Sequence, residues 1–226
     1  MVTIEFLGLP GTGKTTLVKE ICNRVNDSEN SLHFTNALEH YTNSGRHKRL
    51  FIKTYSVINE ILTDPRKFFR EFRIIYDSVQ LSIKDFFIVL LNFSFISHIL
   101  RKNKGHILLD QGLYQAVWSI NISAKKYVPI KTIIPPTLKP DLVFYICAND
   151  HIINKRIENR DGINLRMNKK LTDVTKLKNI ADRIIQEIEE NNVKIIKLQN
   201  NKTDQIKSLS QSVIETIKEQ LKQEIC

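Results

Sequence analysis

The stretch Gly8–Thr16, GLPGTGKTT, decides how this chain folds. It follows the short apolar run VTIEFL and opens KTTLVKEICNRV, in which Leu17, Val18, Ile21 and Val25 recur at helical spacing. Gly8, Gly13, Lys14 and Thr15 fall on the fixed positions of G-x-x-x-x-G-K-[ST]. Glycines let the backbone turn at positive φ and let N–H groups approach an anion with no Cβ between. A helix starting near Lys14 aims its positive end at the same point. The combination fits a polyphosphate bound by Gly8, Gly11, Thr12, Gly13, Lys14, Thr15 and Thr16. Lys14 is placed to reach the β- and γ-phosphates, and the Thr15 hydroxyl to ligate Mg²⁺. A glycine-rich turn without a ligand is the alternative, and the flanking strand and helix weigh against it.

The remaining 210 or so residues bound what such a loop serves. A chain of 226 residues suits one domain with insertions, here 1–226, and buries a real core. Its 42% hydrophobic and 26% charged residues are those of a globular protein. The net charge of +10 favours anionic partners, and part of it clusters in GRHKR (45–49), PRKFFREFR (65–73) and NKRIENR (154–160). Solvated helix faces are the commoner meaning of such clusters. Cys22, Cys147 and Cys226 have no metal-binding spacing and read as reduced thiols of a cytoplasmic protein without a secretory leader. The longest apolar run, 86–100, is broken by Asn92, Ser94, Ser97 and His98, which argues for a buried helix and against a membrane span.

Strands and helices alternate along the chain. SLHFT (31–35), HILLD (106–110), DLVFYICAN (141–149) and VKIIKL (193–198) read as further strands. Between the second and third lies a long segment, 36–104, whose periodicity is helical and whose only glycine and proline are Gly45 and Pro65. Later helices are expected over 114–124, 172–190 and 203–222. This order predicts an α/β fold with a parallel sheet of about five strands, helices on both faces, and ligands outside the carboxyl ends of the strands.

Asp110 ends the apolar strand HILLD at that edge. A carboxylate there suits a Mg²⁺ ligand or a base for an acceptor's proton. Arg156 and Arg160 are four apart, hence on one helical face, and Arg166 follows beyond DGIN. Phosphoryl transfer needs positive charge around the moving group, so these three are candidate catalytic residues in a closing segment, 156–170, beside Lys14 and Asp110.

With GLPGTGKTT, LLD at the third strand, KPDLVFYICANDHIINKRIENR and a final strand–helix, most of the chain resembles the P-loop nucleoside and nucleotide kinases, of thymidylate- or adenylate-kinase-like type. That resemblance implies ATP and Mg²⁺, γ-phosphate transfer to a small-molecule acceptor, most naturally a nucleoside or nucleotide, an acceptor-binding helical insert over 36–104 and an arginine-bearing lid. The chain departs from it at Gln111 and Gly112, where many relatives carry an arginine after the acid, and in the length of the insert. Arg46, Lys48 and Arg49, or Arg66, Arg70 and Arg73, offer the insert cations for an anionic acceptor. A homodimer stays open.

Other readings compete. NKTD (201–204) fits the guanine-reading N-K-x-D of GTPases, yet DQGL places its glycine one residue early for D-x-x-G. A nucleic-acid-binding NTPase or polynucleotide-end kinase is motivated by charge alone. A non-catalytic nucleotide sensor would keep the loop without turnover.

Overall fold

The computed structural model describes residues 2–26, 34–36, 45–78, 83–103, 105–160 and 174–225. Five strands, β1 (Thr3–Leu7), β2 (Phe34–Asn36), β3 (His106–Leu109), β4 (Leu142–Cys147) and β5 (Lys194–Gln199), pair in parallel in the order β2-β3-β1-β4-β5. The helices are α1 (Lys14–Asn26), α2 (Arg46–Thr63), α3 (Pro65–Ser78), α4 (Ile83–Lys102), α5 (Leu113–Ser123), the single turn α6 (Ile130–Ile133), α7 (Asp150–Arg160), α8 (Val174–Glu190) and α9 (Ile206–Ile225).

β1 is buried along its whole length, and its alternate residues face opposite layers. Ile4 and Phe6 pack with Leu17 and Ile21 of α1 and Val213 and Ile217 of α9. The Phe6 ring stacks on Phe144 of β4, with centroids 5.3 Å apart. Leu7 joins the other layer, where Val117 of α5 and Ile184 and Ile188 of α8 cover the sheet. Glu5 shares that second face, so a carboxylate occupies a position the pattern reserves for an apolar side chain.

The insert is three helices, α2 to α4. Pro65 opens α3, where a missing N–H costs no helical hydrogen bond, and Asp64 caps it by accepting the Lys67 N–H at 3.1 Å. Phe68, Ile75, Phe93 and Ile96 tie the insert to the core of the α5 layer. Polar pairs join α2 to α4: Lys53 bonds Asn92, Asn59 meets His98 at 3.3 Å, and Glu60 lies 3.9 Å from Arg101, while Val57 and Ile61 of α2 pack against the core.

Some boundaries differ from the sequence expectation. The second strand is Phe34–Asn36, and residues 31–33 lie outside the described residues. The segment after β5 begins with a 3-10 turn, Thr203–Gln205, so α9 starts at Ile206 and runs to Ile225. β5 is a sheet edge, which is why Lys194 and Lys197 interrupt its apolar residues. Of the segment 156–170, residues 156–160 belong to α7, while 161–170, Arg166 among them, lie outside the described residues. Cys22 is buried and Cys147 half-buried, and Cys226 lies outside the described residues. No helix among the described residues is long and apolar enough to cross a membrane.

Candidate active site

The loop from Gly8 to Gly13 joins the carboxyl end of β1 to α1 in the middle of the sheet. Gly8, Gly11 and Gly13 all hold positive φ, at 154°, 83° and 91°. At Gly8 a Cβ would also collide with the Ile146 carbonyl, and at Gly13 with the Asn200 amide, so both positions demand glycine.

The loop's acceptors are tied up from all sides. Lys14 folds back so that its ammonium donates to the Gly8 carbonyl and, at 2.9 Å, to that of Leu9. Arg156 Nη1 donates to the Gly11 carbonyl at 3.3 Å and to that of Asn200 at 3.0 Å. Asn200 Nδ2 donates to the Thr12 carbonyl at 2.7 Å, and the Leu17 N–H to that of Gly13 at 3.0 Å. A turn whose carbonyls are engaged elsewhere offers its remaining polar face, the N–H groups at a helix start, to an anion. Thr12 braces the turn: it is fully buried, and its hydroxyl and N–H both donate to the Leu9 carbonyl, at 2.8 and 3.3 Å. Thr16 stands exposed on the first turn of α1.

Asp110 follows β3 and is 6% exposed. Its Oδ2 accepts the Thr15 hydroxyl at 3.2 Å, so the two residues expected to serve a metal meet although they are 95 positions apart. Burial raises the Asp110 pKa above the usual carboxylate range, against the Thr15 hydrogen bond and the Lys14 charge. Asp110 Oδ1 is buried without a hydrogen-bond partner. An orphaned carboxylate oxygen beside a hydroxyl is an all-oxygen set that fits a hard cation. No group of three or more carboxylate, histidine or cysteine side chains gathers among the described residues. A Mg²⁺ ion here would therefore be held in the manner usual for that ion, by one carboxylate with substrate phosphates and water.

Two cavities flank the loop. The first lies between α2, α4 and α5 and is lined by Lys53, Asn92, Phe95, Asp110, Gln115 and Ser119 among others. The second lies on the α7–β5 side, lined by Ile152, Lys155, Arg156, Asn159, Asn201 and Lys202. Asp110, which meets Thr15, lines the first, and Arg156, which bonds Gly11, lines the second. Arg66, Arg70 and Arg73 do not line the first cavity. They are exposed on α3, because Phe68, Phe72 and Ile75 turn the opposite side of that helix inward; the cation that does line it is Lys53 of α2. Arg156 is a wall of the second cavity and bonds the loop at Gly11. Arg160 ends α7, and its side chain lies outside the described residues.

Four residues of this region escaped the sequence reading. Asn200, 1% exposed, follows β5 and holds the loop; its signal was a polar residue just past a strand's carboxyl end. Gln115 lines the first cavity while its Oε1 accepts the Gly8 N–H at 3.2 Å. Glu5 accepts the Gln115 and Tyr114 N–H groups at 2.8 and 3.2 Å and so pins the start of α5; burial, opposed by those bonds, raises its pKa to about 7. Lys53 was one of many lysines. In NKTD, the Asn201 side chain accepts the Asn149 N–H at 2.9 Å, and Gln205 accepts the N–H groups of Asn201 and Lys202.

Known structures share this architecture. A deoxyadenosine kinase from M. mycoides with bound dCTP aligns over 95% of this chain and 100% of its own, with TM-score 0.50 and 11% identity. The same enzyme with the products dCMP and a flexible dCDP aligns over 96% and 99%, with TM-score 0.54 and 12% identity, and with bound dATP over 95% and 100%, with TM-score 0.51 and 12% identity. At that identity the likeness shows the fold alone, the one that this deoxyadenosine kinase has. No protein-family model matches the sequence, and no curated protein matches it.

Proposed function

We propose that this chain is an ATP- and Mg²⁺-dependent phosphotransferase that moves the γ-phosphoryl group to a hydroxyl or phosphate of a small molecule, a nucleoside or nucleotide being the best fit. The observation that carries this is the pairing of Thr15 with Asp110 at 3.2 Å between two cavities on opposite sides of the glycine loop. Phosphoryl transfer requires donor and acceptor in line across the moving group, and a two-sided site supplies that.

In this reading the donor's triphosphate lies along the loop with its base in the α7–β5 cavity, and the acceptor lies in the α2–α4–α5 cavity. Lys14 exchanges its loop carbonyls for phosphate oxygens and neutralises charge on the γ-phosphoryl group. Bound Mg²⁺ would supply further charge neutralisation, with Thr15 and Asp110 as its protein ligands. The buried Asp110 is also in reach of the acceptor cavity, where a carboxylate with a raised pKa can take the attacking hydroxyl's proton. Lys53 and Gln115 orient the acceptor. Arg160 and Arg166 are proposed to close over the phosphates. Among the described residues Lys53 is the one cation lining the acceptor cavity, which favours an acceptor of low charge.

The test is ATP-dependent phosphorylation of a panel of nucleosides, nucleotides and other hydroxylated metabolites, read by mass spectrometry. GTP is run beside ATP, since Asn201 and Lys202 line the donor-side cavity. A mass gain of one phosphate on one acceptor class supports the proposal. ATP binding with no turnover across the panel counts for the nucleotide-sensor reading.

A further inference from the structure

NKTD (201–204) lies at the donor cavity but outside the phosphoryl-transfer chemistry. It follows β5, the neighbour of β4 in the sheet, and Asn201 and Lys202 line the α7–β5 cavity. Its backbone is held. The Asn201 and Lys202 N–H groups donate to Gln205 Oε1, at 3.2 and 3.1 Å, and the Gln205 N–H donates back to the Lys202 carbonyl at 3.3 Å. The preceding residue, Asn200, is buried and bonds the Thr12 carbonyl. Arg156 joins the Asn200 carbonyl to that of Gly11. The motif is therefore anchored to the glycine loop, and a base resting against it stands at a set distance from phosphates on that loop. Contacts already in place cost no ordering when the ligand arrives.

Hydrogen-bonding capacity separates the two purines. Lys155, Arg156, Asn159, Asn201 and Lys202, which line the cavity, all carry donors. Asn201 Oδ1 already accepts the Asn149 N–H at 2.9 Å, which favours its amide N–H2 as the group that meets a ligand. Among the described residues no carboxylate lines this cavity. Guanine offers two acceptors, O6 and N7, along one edge, whereas adenine sets an N6–H2 donor beside N7. A donor-rich wall satisfies the first edge and leaves the adenine amino group unpaired.

The other guanine edge carries N1–H and N2–H2 and calls for a carboxylate. Asp204 supplies one: it closes the motif, stands exposed, and belongs to the 3-10 turn Thr203–Gln205. Two N–H groups on one carboxylate make a charge-assisted, bidentate pair. Adenine meets the same carboxylate with the lone pair of N1 and gains neither bond.

We infer that NKTD reads the base of the donor and reads guanine, so that this chain takes GTP in preference to ATP. Guanine selectivity rests on the proposed function for the placement of the donor's base in this cavity. The roles of Lys14, Thr15 and Asp110 concern the phosphates and are the same for either purine.

Titration calorimetry of the full chain with GDP and with ADP, each with Mg²⁺, tests this without turnover. GDP should bind about tenfold tighter, within the range of one bidentate base contact. Asp204→Asn should bring the two Kd values together, with the far-UV spectrum and melting temperature retained, since the side chain is exposed. The same variant should gain affinity for xanthosine diphosphate, whose C2 carbonyl accepts from the amide where the guanine amino group donates to the carboxylate. Loss of the GDP preference carries the inference, and the xanthosine gain fixes Asp204 on the N2 edge. ADP bound as tightly as GDP overturns it, and so does a GDP preference that survives Asp204→Asn. GDP preferred, with no phosphorylated product across the acceptor panel, keeps guanine reading and ends the kinase reading; turnover with ADP bound more tightly does the reverse. Failure of both diphosphates to bind overturns both.

Discussion

The two sides of the glycine loop are built differently. On the α7–β5 side, a buried amide and a half-buried guanidinium hold the loop's main chain: Asn200 at 2.7 Å from the Thr12 carbonyl, and Arg156 bridging Gly11 and Asn200. Asn200 follows the end of β5 and Arg156 lies on α7, and both are held by their bonds to the loop. On the insert side, Lys53 and Asn92 belong to helices that meet through a polar contact, and α2 leaves its far face exposed. The proposed donor side is thus fixed by the sheet, and the proposed acceptor side depends on how three helices settle. A loop that must bind the same triphosphate in every cycle suits the first construction, and a wall that adapts to an acceptor suits the second.

The strongest challenge to this contrast is removal of what the two sides share. Lys14→Ala should reduce turnover by about a hundredfold or more, the scale of losing one preorganised electrostatic group. The fold should be retained by circular dichroism. Unchanged turnover would sink the reading of the loop itself. Asp110→Asn should come next, costing kcat more than ATP affinity and weakening the Mg²⁺ dependence, because the isostere keeps shape and loses charge. Survival of both activity and Mg²⁺ dependence would reduce Asp110 to a strand-end cap for Thr15.

A smaller effect sharpens the contrast through pH. Burial raises the Glu5 pKa from 4.5 to about 7, so the folded chain holds this proton more tightly than the unfolded one. The associated stability is complete below pH 4.5 and is lost as pH rises through about 7. The shift corresponds to about 3 kcal/mol at most. Melting temperature should fall across that window in the wild type. In Glu5→Gln the fall should flatten, at the cost of about 1 kcal/mol for one lost backbone bond. A wild-type profile flat through neutrality would show that the α5 start is not held in this way.

What the sequence disclosed follows the same division. The loop's glycines and lysine act through backbone geometry at fixed spacing, so Gly8, Gly13, Lys14 and Thr15 were readable one by one. Asp110 was readable because a carboxylate ending an apolar strand is conspicuous. The helical nature of 46–78 and 83–102 was legible from the periodicity and the two breakers, Gly45 and Pro65, each of which stands at a helix start. Its orientation was not: the arginines of α3 share one face, but only packing tells that Phe68 and Ile75 claim the inside and leave them in solvent. Gln115 carried no signal in the sequence, and Asn200 only that of its place just past a strand, for another reason. Each works through a single amide aimed at a loop more than a hundred residues away, and nothing local distinguishes such an asparagine or glutamine from a surface one.

The central claim is that donor and acceptor occupy opposite sides of the loop, and one measurement addresses it directly. With the acceptor identified by the metabolite panel, the KM values for ATP and for acceptor are measured in Asn200→Ala and in Lys53→Met. Loss of the Asn200 bond should cost about 1–3 kcal/mol of loop organisation and raise the ATP KM while sparing that of the acceptor. Lys53→Met keeps the apolar stem and removes the charge, and should raise the acceptor KM by about tenfold while sparing that of ATP. Two variants that shift both constants together, or that exchange these effects, would contradict the two-sided site.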